Sequence, residues 1–559
     1  MKARDHIQKS LIILSLFTFQ LSLLTSCSFL EEEPRSQKPE EEIIINDETL
    51  YYHAVCNLYS QLGGINSGEG LQGTYRGVYD LQTFTTDEAI IPTRGGDWFD
   101  GGIWQQLFLH LWTPDNEAVE NSWAYLYKNI VLCNRSLELL DKYHDFLDVD
   151  EYHEFLAEVR SLRAIYYYYL LDLYGNVPIV TRTDIAMRDI EQSSRSVLFR
   201  FIETELTESL PYLTYFRSNM ITEFYSHITV PVAAFVMMKM ALNAEIWLDD
   251  DHTDGVFLDG KNLKIYCGDD SLICWQAVEF YASLISFSGH QLDASQEDCF
   301  AVHNETSKEN IFIIPLDKLL YDTRFKNQQR SLHYQHAAAL GYGGENGSCA
   351  TIETMQTFGY NTDSPDPRIY SSFFLDTVYV NNKPLVLASG DTLVYQPDSV
   401  KLVLTGSTCM ATAGARMFKY AIDPSGVFDG TLRQNDIVIF RYADVLLSVA
   451  EAKVRNGESG QDFFDQVRNR AFDGLTPSPR TATLDNIYEE RKLELVWEGW
   501  RRQDAIRFRR FTQAYDCRPM LADEENGYTT LFPIPQSVID MNPQFKQNKG
   551  YEGFIEHEK

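Results

Sequence analysis

Apolar side chains recur along this chain in two rhythms, and the alternation of the two divides it into regions. Between 152 and 174, Phe155, Val159, Leu162, Tyr166, Leu170 and Leu173 fall at spacings of three and four, on one face of a helix. The pattern stops at Gly175-Asn176-Val177-Pro178, a glycine C-cap followed by proline. The same periodicity predicts helices over 117–140, 196–210, 229–248 and 272–287. It returns over 436–511, with Tyr442, Leu446, Val449 and Ala450 ahead of Gly457, then over 463–472, 484–497 and 502–511. From 289 to 433 the rhythm is lost. Short β-like runs, Ile311-Phe312-Ile313-Ile314, Asp376-Thr377-Val378-Tyr379-Val380 and Lys401-Leu402-Val403-Leu404, sit there among Gly, Asn, Asp and Pro clusters.

Successive helices with short connections predict antiparallel pairs stacked side by side, as in tetratricopeptide arrays, although no clean period of about 34 residues is visible. The expected fold is mainly α, an αα superhelix of tetratricopeptide-like helical pairs carrying a loop-rich, short-β ligand-binding insertion. Its parts are an N-terminal helical region over 46–288 with a loop at 63–115, an irregular ligand-binding region over 289–433, and a C-terminal helical region over 434–559. Aromatic loops on a rigid scaffold are where binding sites usually sit.

The N-terminus has a separate logic. Lys2, Arg4 and Lys9 precede an apolar run from Leu11 to Leu24, which ends in Leu24-Thr25-Ser26-Cys27. This resembles the lipobox of bacterial lipoproteins. Residues 1–26 are then a signal peptide, and Cys27 is the lipidated first residue of the mature chain. Acyl chains contribute ~0.8 kcal/mol per buried CH₂, enough for several to hold a protein on a membrane without a spanning helix. As a spanning helix the run is too short. Residues 27–45, with Glu31-Glu32-Glu33-Pro34, read as an acidic tether that an anionic headgroup surface repels. A short acidic run here resembles the surface-export signal of Bacteroidetes lipoproteins.

Composition narrows the function. A net charge of −32 excludes nucleic acid, because phosphate binding needs clustered Lys and Arg. The aromatic content, 32 Tyr, 33 Phe and 8 Trp, leaves rings to spare for stacking ligands after the core is filled. Cys56, Cys133, Cys267, Cys274, Cys299, Cys349, Cys409 and Cys517 are scattered without CxxC spacing or paired histidines, so zinc is not expected and most should be buried free thiols. Neither a metal nor a cofactor is expected.

Several long motifs then occur in order. Arg163-Ala164-Ile165-Tyr166-Tyr167-Tyr168 leads to Leu173-Tyr174-Gly175-Asn176-Val177-Pro178. Arg441-Tyr442-Ala443-Asp444-Val445-Leu446-Leu447 comes later, then Glu490-Arg491-Lys492-Leu493-Glu494-Leu495-Val496-Trp497-Glu498-Gly499-Trp500-Arg501-Arg502-Gln503-Asp504-Ala505-Ile506-Arg507. Leu531-Phe532-Pro533-Ile534-Pro535, Asn542-Pro543 and Gln547-Asn548-Lys549-Gly550-Tyr551 close the chain. Together they resemble the SusD/RagB family of outer-membrane lipoproteins over nearly the whole mature chain. Physically, Glu490, Glu494 and Glu498 fall at i, i+4 and i+8, where unpaired like charges repel. They call for arginine partners, with Arg491, Arg501, Arg502 and Arg507 nearby in sequence and Asp444 or Asp504 closing a network. Carboxylates locked against guanidinium ionise too readily to serve as general acids.

The resemblance implies an outer-membrane protein, lipid-anchored and facing the cell exterior. It implies non-catalytic capture of oligosaccharide and delivery to a SusC-type TonB-dependent transporter. Sugars offer apolar C–H faces and hydroxyls, so the site should pair exposed rings with Asp, Asn or Arg. Two stretches have that composition. In the first, Arg94-Gly95-Gly96-Asp97-Trp98-Phe99-Asp100-Gly101-Gly102, the flanking glycines make a loop and nominate Trp98, with Asp97 and Arg94 beside it. Trp104 and Trp112, with Leu107 and Leu111 between them, read as an apolar face. In the second, over 331–347, the candidates are Tyr334, Tyr342 and Asn346. His333 and His336 read as polar loop residues, Asp366-Pro367-Arg368 as a structural turn. Asp249-Asp250-Asp251-His252-Thr253-Asp254 fails the EF-hand pattern because Lys261 stands where its twelfth-position Glu should be, which leaves only a looser calcium loop. The alternatives are RagB-like peptide capture for the same transporter class, a surface glycoside hydrolase, or a structural component of a surface assembly.

Overall fold

The computed structural model describes residues 40–219, 224–472, 474 and 477–555. The expected signal segment 1–26, the expected lipidation site at Cys27 and the expected tether as far as 39 lie outside these. Contacts divide the chain into two units, Met1–Leu50 and Tyr51–Lys559. In the first, the helix Glu40–Ile43 is followed by the start of Asp47–Tyr51.

The second unit is built on helices. α1 (Glu117–Lys142) packs on α2 (Val149–Leu173), and α2 on α3 (Arg195–Ser209). α4 (Val230–Leu242) packs on α5 (Cys274–Phe287), and α5 on α6 (Tyr442–Asn456). α6 then meets α7 (Gln461–Ala471) and α8 (Leu484–Leu495), and α9 (Arg501–Arg507) follows. α2 starts where it does because the Asp148 carboxylate and Glu151 make a capping box. Its second half is buried all round, and two of its buried tyrosines find acceptors there: Tyr167 donates to the Val180 carbonyl at 3.0 Å and Tyr168 to Gln503 at 3.0 Å. Among the described residues no helix is long and apolar enough to cross a membrane.

Several boundaries differ from the periodicity, and the region expected to be helical from Asp436 opens on a strand, Ile437–Arg441, before the helix Tyr442–Asn456. The 229–248 run breaks at Asn243, leaving α4 and the turn Ala244–Trp247. α8 ends at Leu495, since Trp497 is left-handed (φ 68°), so Glu498 does not share a helical face with Glu490 and Glu494. α9 ends at Arg507 rather than 511. Of the β-like runs, β1 (Asn310–Ile314) pairs antiparallel with β2 (Ile437–Arg441) in a wholly buried ribbon. The run 376–380 divides between two small hairpins, and 401–404 contributes only a bridge from Val403 to Thr93.

The three glutamates do find cations, but not the expected ones. Glu490 pairs with Arg368 (2.7 Å) and Arg468 (2.9 Å), while Glu494 pairs with Arg368 (2.9 Å), Arg441 (2.6 Å) and Arg470 (2.5 Å). Glu498 takes Arg441 (2.6 Å) and Lys419 (2.8 Å). Arg491 instead joins Asp444 to Asp504, Arg501 holds Asp87, Arg502 holds Asp172 and Arg507 holds Glu451. Arg368 also grips Asp366 of its own turn, which makes that turn structural. The eight described cysteines are all free thiols.

Candidate functional site

The loop after the strand-like segment at 89–93 folds back on itself through reciprocal backbone hydrogen bonds between Arg94 and Asp97, at 3.0 and 3.1 Å. Gly95 supplies a left-handed turn (φ 69°), and Trp98 itself is left-handed (φ 63°), a conformation a bulky residue adopts only when its surroundings enforce it. The enforcement is visible. The indole N–H donates to the Glu345 carbonyl at 2.9 Å, Trp104 and Tyr75 pack against the ring, and the ring lies on the backbone of Gly347. A Cβ at Gly347 would come within 2.5 Å of the indole, so only glycine fits beneath it.

Tyr334 opens the short helix Tyr334–Ala339, which is N-capped by the His333 imidazole. Its ring is 46% exposed, and its hydroxyl donates to Asp97 Oδ2 at 2.7 Å. Two stretches more than two hundred residues apart are thereby brought together around a cleft of about 380 Å³ lined by Asp97, Trp98, Asp100, Tyr334 and Glu345, with Gly96 and Gly344. Phe99, 57% exposed, stands beside it. Among the described residues no lysine or arginine lines the cleft. Asp100 accepts from Arg76 (3.0 Å) and the Trp104 indole (2.9 Å), and Glu345 accepts from the Tyr75 hydroxyl (2.8 Å). Burial raises the Glu345 carboxyl above its ordinary range.

The other three candidates are placed underneath, not in the cleft. Arg94 is buried and donates to the carbonyls of Gly347 (3.2 Å), Met410 (2.8 Å) and Ala413 (2.9 Å). Burial, with Arg416 nearby, pushes its guanidinium down to about 9. Asn346 is buried with its Oδ1 on Arg416 (2.9 Å). Tyr342 is buried against Leu332 and Ala337, and its hydroxyl both donates to and accepts from the Asp423 backbone. All three were expected to face a ligand. Their polar atoms are instead consumed in holding the loops, because loop carbonyls turned inward need donors.

Asp100, Glu345 and Phe99 were missed as candidates. Phe99 and Asp100 stand in the same glycine-flanked run as Trp98, and Glu345 adjoins Asn346, so the composition signal covered them without singling them out. Trp104 and Trp112 are buried as expected, but Leu111 is 49% exposed.

The histidines and the acidic loop are engaged by the protein. His336 Nδ1 meets the Tyr395 hydroxyl at 3.0 Å, and burial pushes both His333 and His336 down to about 4. Asp249, Asp250, Asp251 and Asp254 each accept from backbone N–H groups of their own loop or of Ser196, and Lys549 pairs with Asp251. Among the described residues the trio close enough to share a metal is Asp293, Cys299 and Glu309. There Glu309 is already held by Arg441 and Arg470, and Asp293 accepts from Ser307 and the Lys308 amide.

A model of the "SusD family" matches residues 294–551, and one described as "Starch-binding associating with outer membrane" matches residues 28–215. The starch-binding protein SusD of Bacteroides thetaiotaomicron is 23% identical over 519 residues, covering 87% of this chain and 87% of that one. SusD-like protein P25 of Formosa agariphila is 23% identical over 574 residues, covering 96% and 98% of the two chains. Among solved structures, a surface glycan-binding protein A from Bacteroides thetaiotaomicron in complex with laminarihexaose superposes with a TM-score of 0.67 at 19% identity, covering 90% of this chain and 99% of that one. A laminarin-binding SusD-like protein gives 0.64 at 18% identity, with 90% and 100% coverage.

Proposed function

We propose, on the premise that this chain belongs to the SusD/RagB family, that it binds a neutral glycan at the cell surface and hands it to a SusC-type TonB-dependent outer-membrane transporter. The observation that carries the glycan reading is the convergence of Trp98, Tyr334 and Asp97 on one open cleft. Stacking on Trp98 buries the C–H face of a sugar ring, while Asp97, Asp100 and Glu345 accept from its hydroxyls. With three carboxylates and no cation lining the cleft, uronates and sulfated sugars would bring charge against like charge, which favours an uncharged glycan. Relatives named for starch, laminarihexaose and laminarin support the same ligand class.

The reading is of capture without chemistry. Each cleft carboxylate already accepts from a tyrosine, an arginine or an indole, an arrangement for orienting hydroxyls. Anchoring through lipid on Cys27, with the globular part facing outward, completes the proposal, and so does the assignment of 289–433 as the region that carries half the site. The test is calorimetry or affinity electrophoresis of residues 28–559 against plant, host and microbial glycans, with peptide mixtures alongside. Binding of one neutral glycan class without release of reducing ends, lost by tenfold or more (about 1.4 kcal/mol) in Trp98→Ala with Tyr334→Ala, is the expected result. Retention in that variant would sink the site, and binding of peptides alone would sink the glycan reading.

A further inference from the structure

A second cavity, of about 680 Å³, opens elsewhere on the same unit and lies within the range of about 300–1,000 Å³ usual for ligand sites. Tyr52, Tyr59, Tyr125, Tyr225, Tyr321 and His227 supply its rings. Two of these, Tyr52 at 65% and Tyr321 at 45%, are exposed, so their faces are not spent on the core. The others form a fixed wall. Tyr59 donates to Glu158 at 2.5 Å, accepts from the Ile228 amide at 2.8 Å and stacks on His227 at 5.0 Å. Tyr125 donates to the Gln61 carbonyl at 2.7 Å, and Tyr225 to Asp436.

The backbone around the cavity is irregular in ways that a purely structural wall does not require. Tyr52–Cys56 is the one π-helical turn among the described residues, and Ser226 is left-handed at φ 59°. Both departures from regular geometry recur at functional sites. Glu69 and Asp322 add carboxylates to the lining, as Asp97, Asp100 and Glu345 do in the Trp98 cleft, and Asn66 and Lys128 add donors.

The two places are connected. Glu345 of the Trp98 cleft accepts from Tyr75, whose hydroxyl also reaches the Lys326 carbonyl at 3.3 Å, and Lys326 Nζ donates to the Ile65 carbonyl at 3.0 Å. Ile65 lines the second cavity. Three side chains therefore bridge one site to the other.

We propose that this cavity is a second saccharide site, which takes a further stretch of the same neutral glycan held at Trp98, so that one polysaccharide strand is gripped at two points. The inference rests on the glycan-binding reading above. Tethering through the strand makes the second engagement intramolecular, so it strengthens binding of polymers and leaves a short oligosaccharide at Trp98 indifferent.

The experiment compares the wild type, Tyr52→Ala with Tyr321→Ala, and Trp98→Ala with Tyr334→Ala by calorimetry. The probes are neutral glycans including starch and laminarin, each as the polymer and as a purified hexasaccharide. Tyr52→Ala with Tyr321→Ala should lose polymer affinity by about tenfold or more while keeping hexasaccharide affinity. Trp98→Ala with Tyr334→Ala should retain weak hexasaccharide binding, and combining all four substitutions should abolish it. A wild type that binds glycan beside a Tyr52→Ala, Tyr321→Ala protein with unchanged polymer affinity overturns this proposal alone. A wild type that binds no glycan overturns it together with the proposed function.

Discussion

Arg441→Met would test whether the buried ion network holds the scaffold together. Arg441 is buried and donates to Glu498 through Nε and Nη2 (2.6 and 2.8 Å), to Glu309 (2.7 Å) and Glu494 (2.6 Å) through Nη1, and to the Glu494 carbonyl (2.6 Å). Methionine keeps length and removes the charge and all five bonds. Each carboxylate nonetheless retains a cation: Glu309 keeps Arg470, Glu494 keeps Arg368 and Arg470, and Glu498 keeps Lys419. Removing one partner of a buried pair costs about 3–5 kcal/mol, and the surviving cations put this case at the lower end, ~3 kcal/mol. In urea the slope for a chain of this size exceeds the about 1–3 kcal/mol/M of small proteins, so the midpoint at pH 7 should fall by about 1 M or less with the slope unchanged.

The pH dependence supplies a second readout. Burial alone would raise the Glu494 carboxyl, but Arg470, Arg441 and Arg368 outweigh it and hold it below its ordinary 4.5. A depressed carboxylate contributes stability that is present above 4.5 and lost as pH falls toward the folded value. The variant has less depression to lose, so the gap between wild type and variant should narrow below pH 4.5. Tryptophan fluorescence and circular dichroism follow both transitions. A variant as stable as wild type at pH 7, or a gap that widens on acidification, would refute the reasoning.

Two further outcomes follow from single residues. Gly347→Ala should displace the indole of Trp98, lowering glycan affinity by tenfold or more and shifting tryptophan emission, at a stability cost of about 1–3 kcal/mol; unchanged binding and emission would show that the ring does not rest where the structure puts it. Burial pushes Glu158 up to about 8, so its contribution is fully present below its ordinary 4.5 and lost as pH rises through 8; Glu158→Gln should therefore gain on wild type by about 4 kcal/mol at pH 9 relative to pH 5, and denaturation at the two pH values checks it.

What the sequence made legible was local. The three-and-four spacing that announces α2 is a property of one segment, and its glycine stop at Gly175 adopts the left-handed turn the pattern implies. The need of Glu490, Glu494 and Glu498 for cations could also be read, because like charges so closely spaced cannot be buried alone. The identity of those cations could not. Arg368, Lys419, Arg441, Arg468 and Arg470 arrive from separate segments, and the nearby arginines are drawn elsewhere by Asp87, Asp172 and Glu451. The same division runs through the cleft. Glycines around Trp98 mark a loop in the letters themselves, whereas Arg94 and Asn346 look equally available until the fold turns carbonyls and Arg416 toward them.

Segments some four hundred residues apart meet in the second unit, and this bears on when it can finish folding. Asp87 waits for Arg501, 414 residues later, and the Glu88 carboxylate for the Trp497 amide, 409 residues later. The Tyr174 carbonyl waits for Asn548, 374 residues on. Contacts of such sequence separation form late, after the entropy of closing very large loops has been overcome. A chain delivered N-terminus first therefore accumulates helices without their closing partners until its last residues arrive. A chain cut short before Thr530 would lose the Asn548 amide at the Tyr174 carbonyl, the Tyr551 hydroxyl at the Trp112 indole and the Thr530 carbonyl at Arg502.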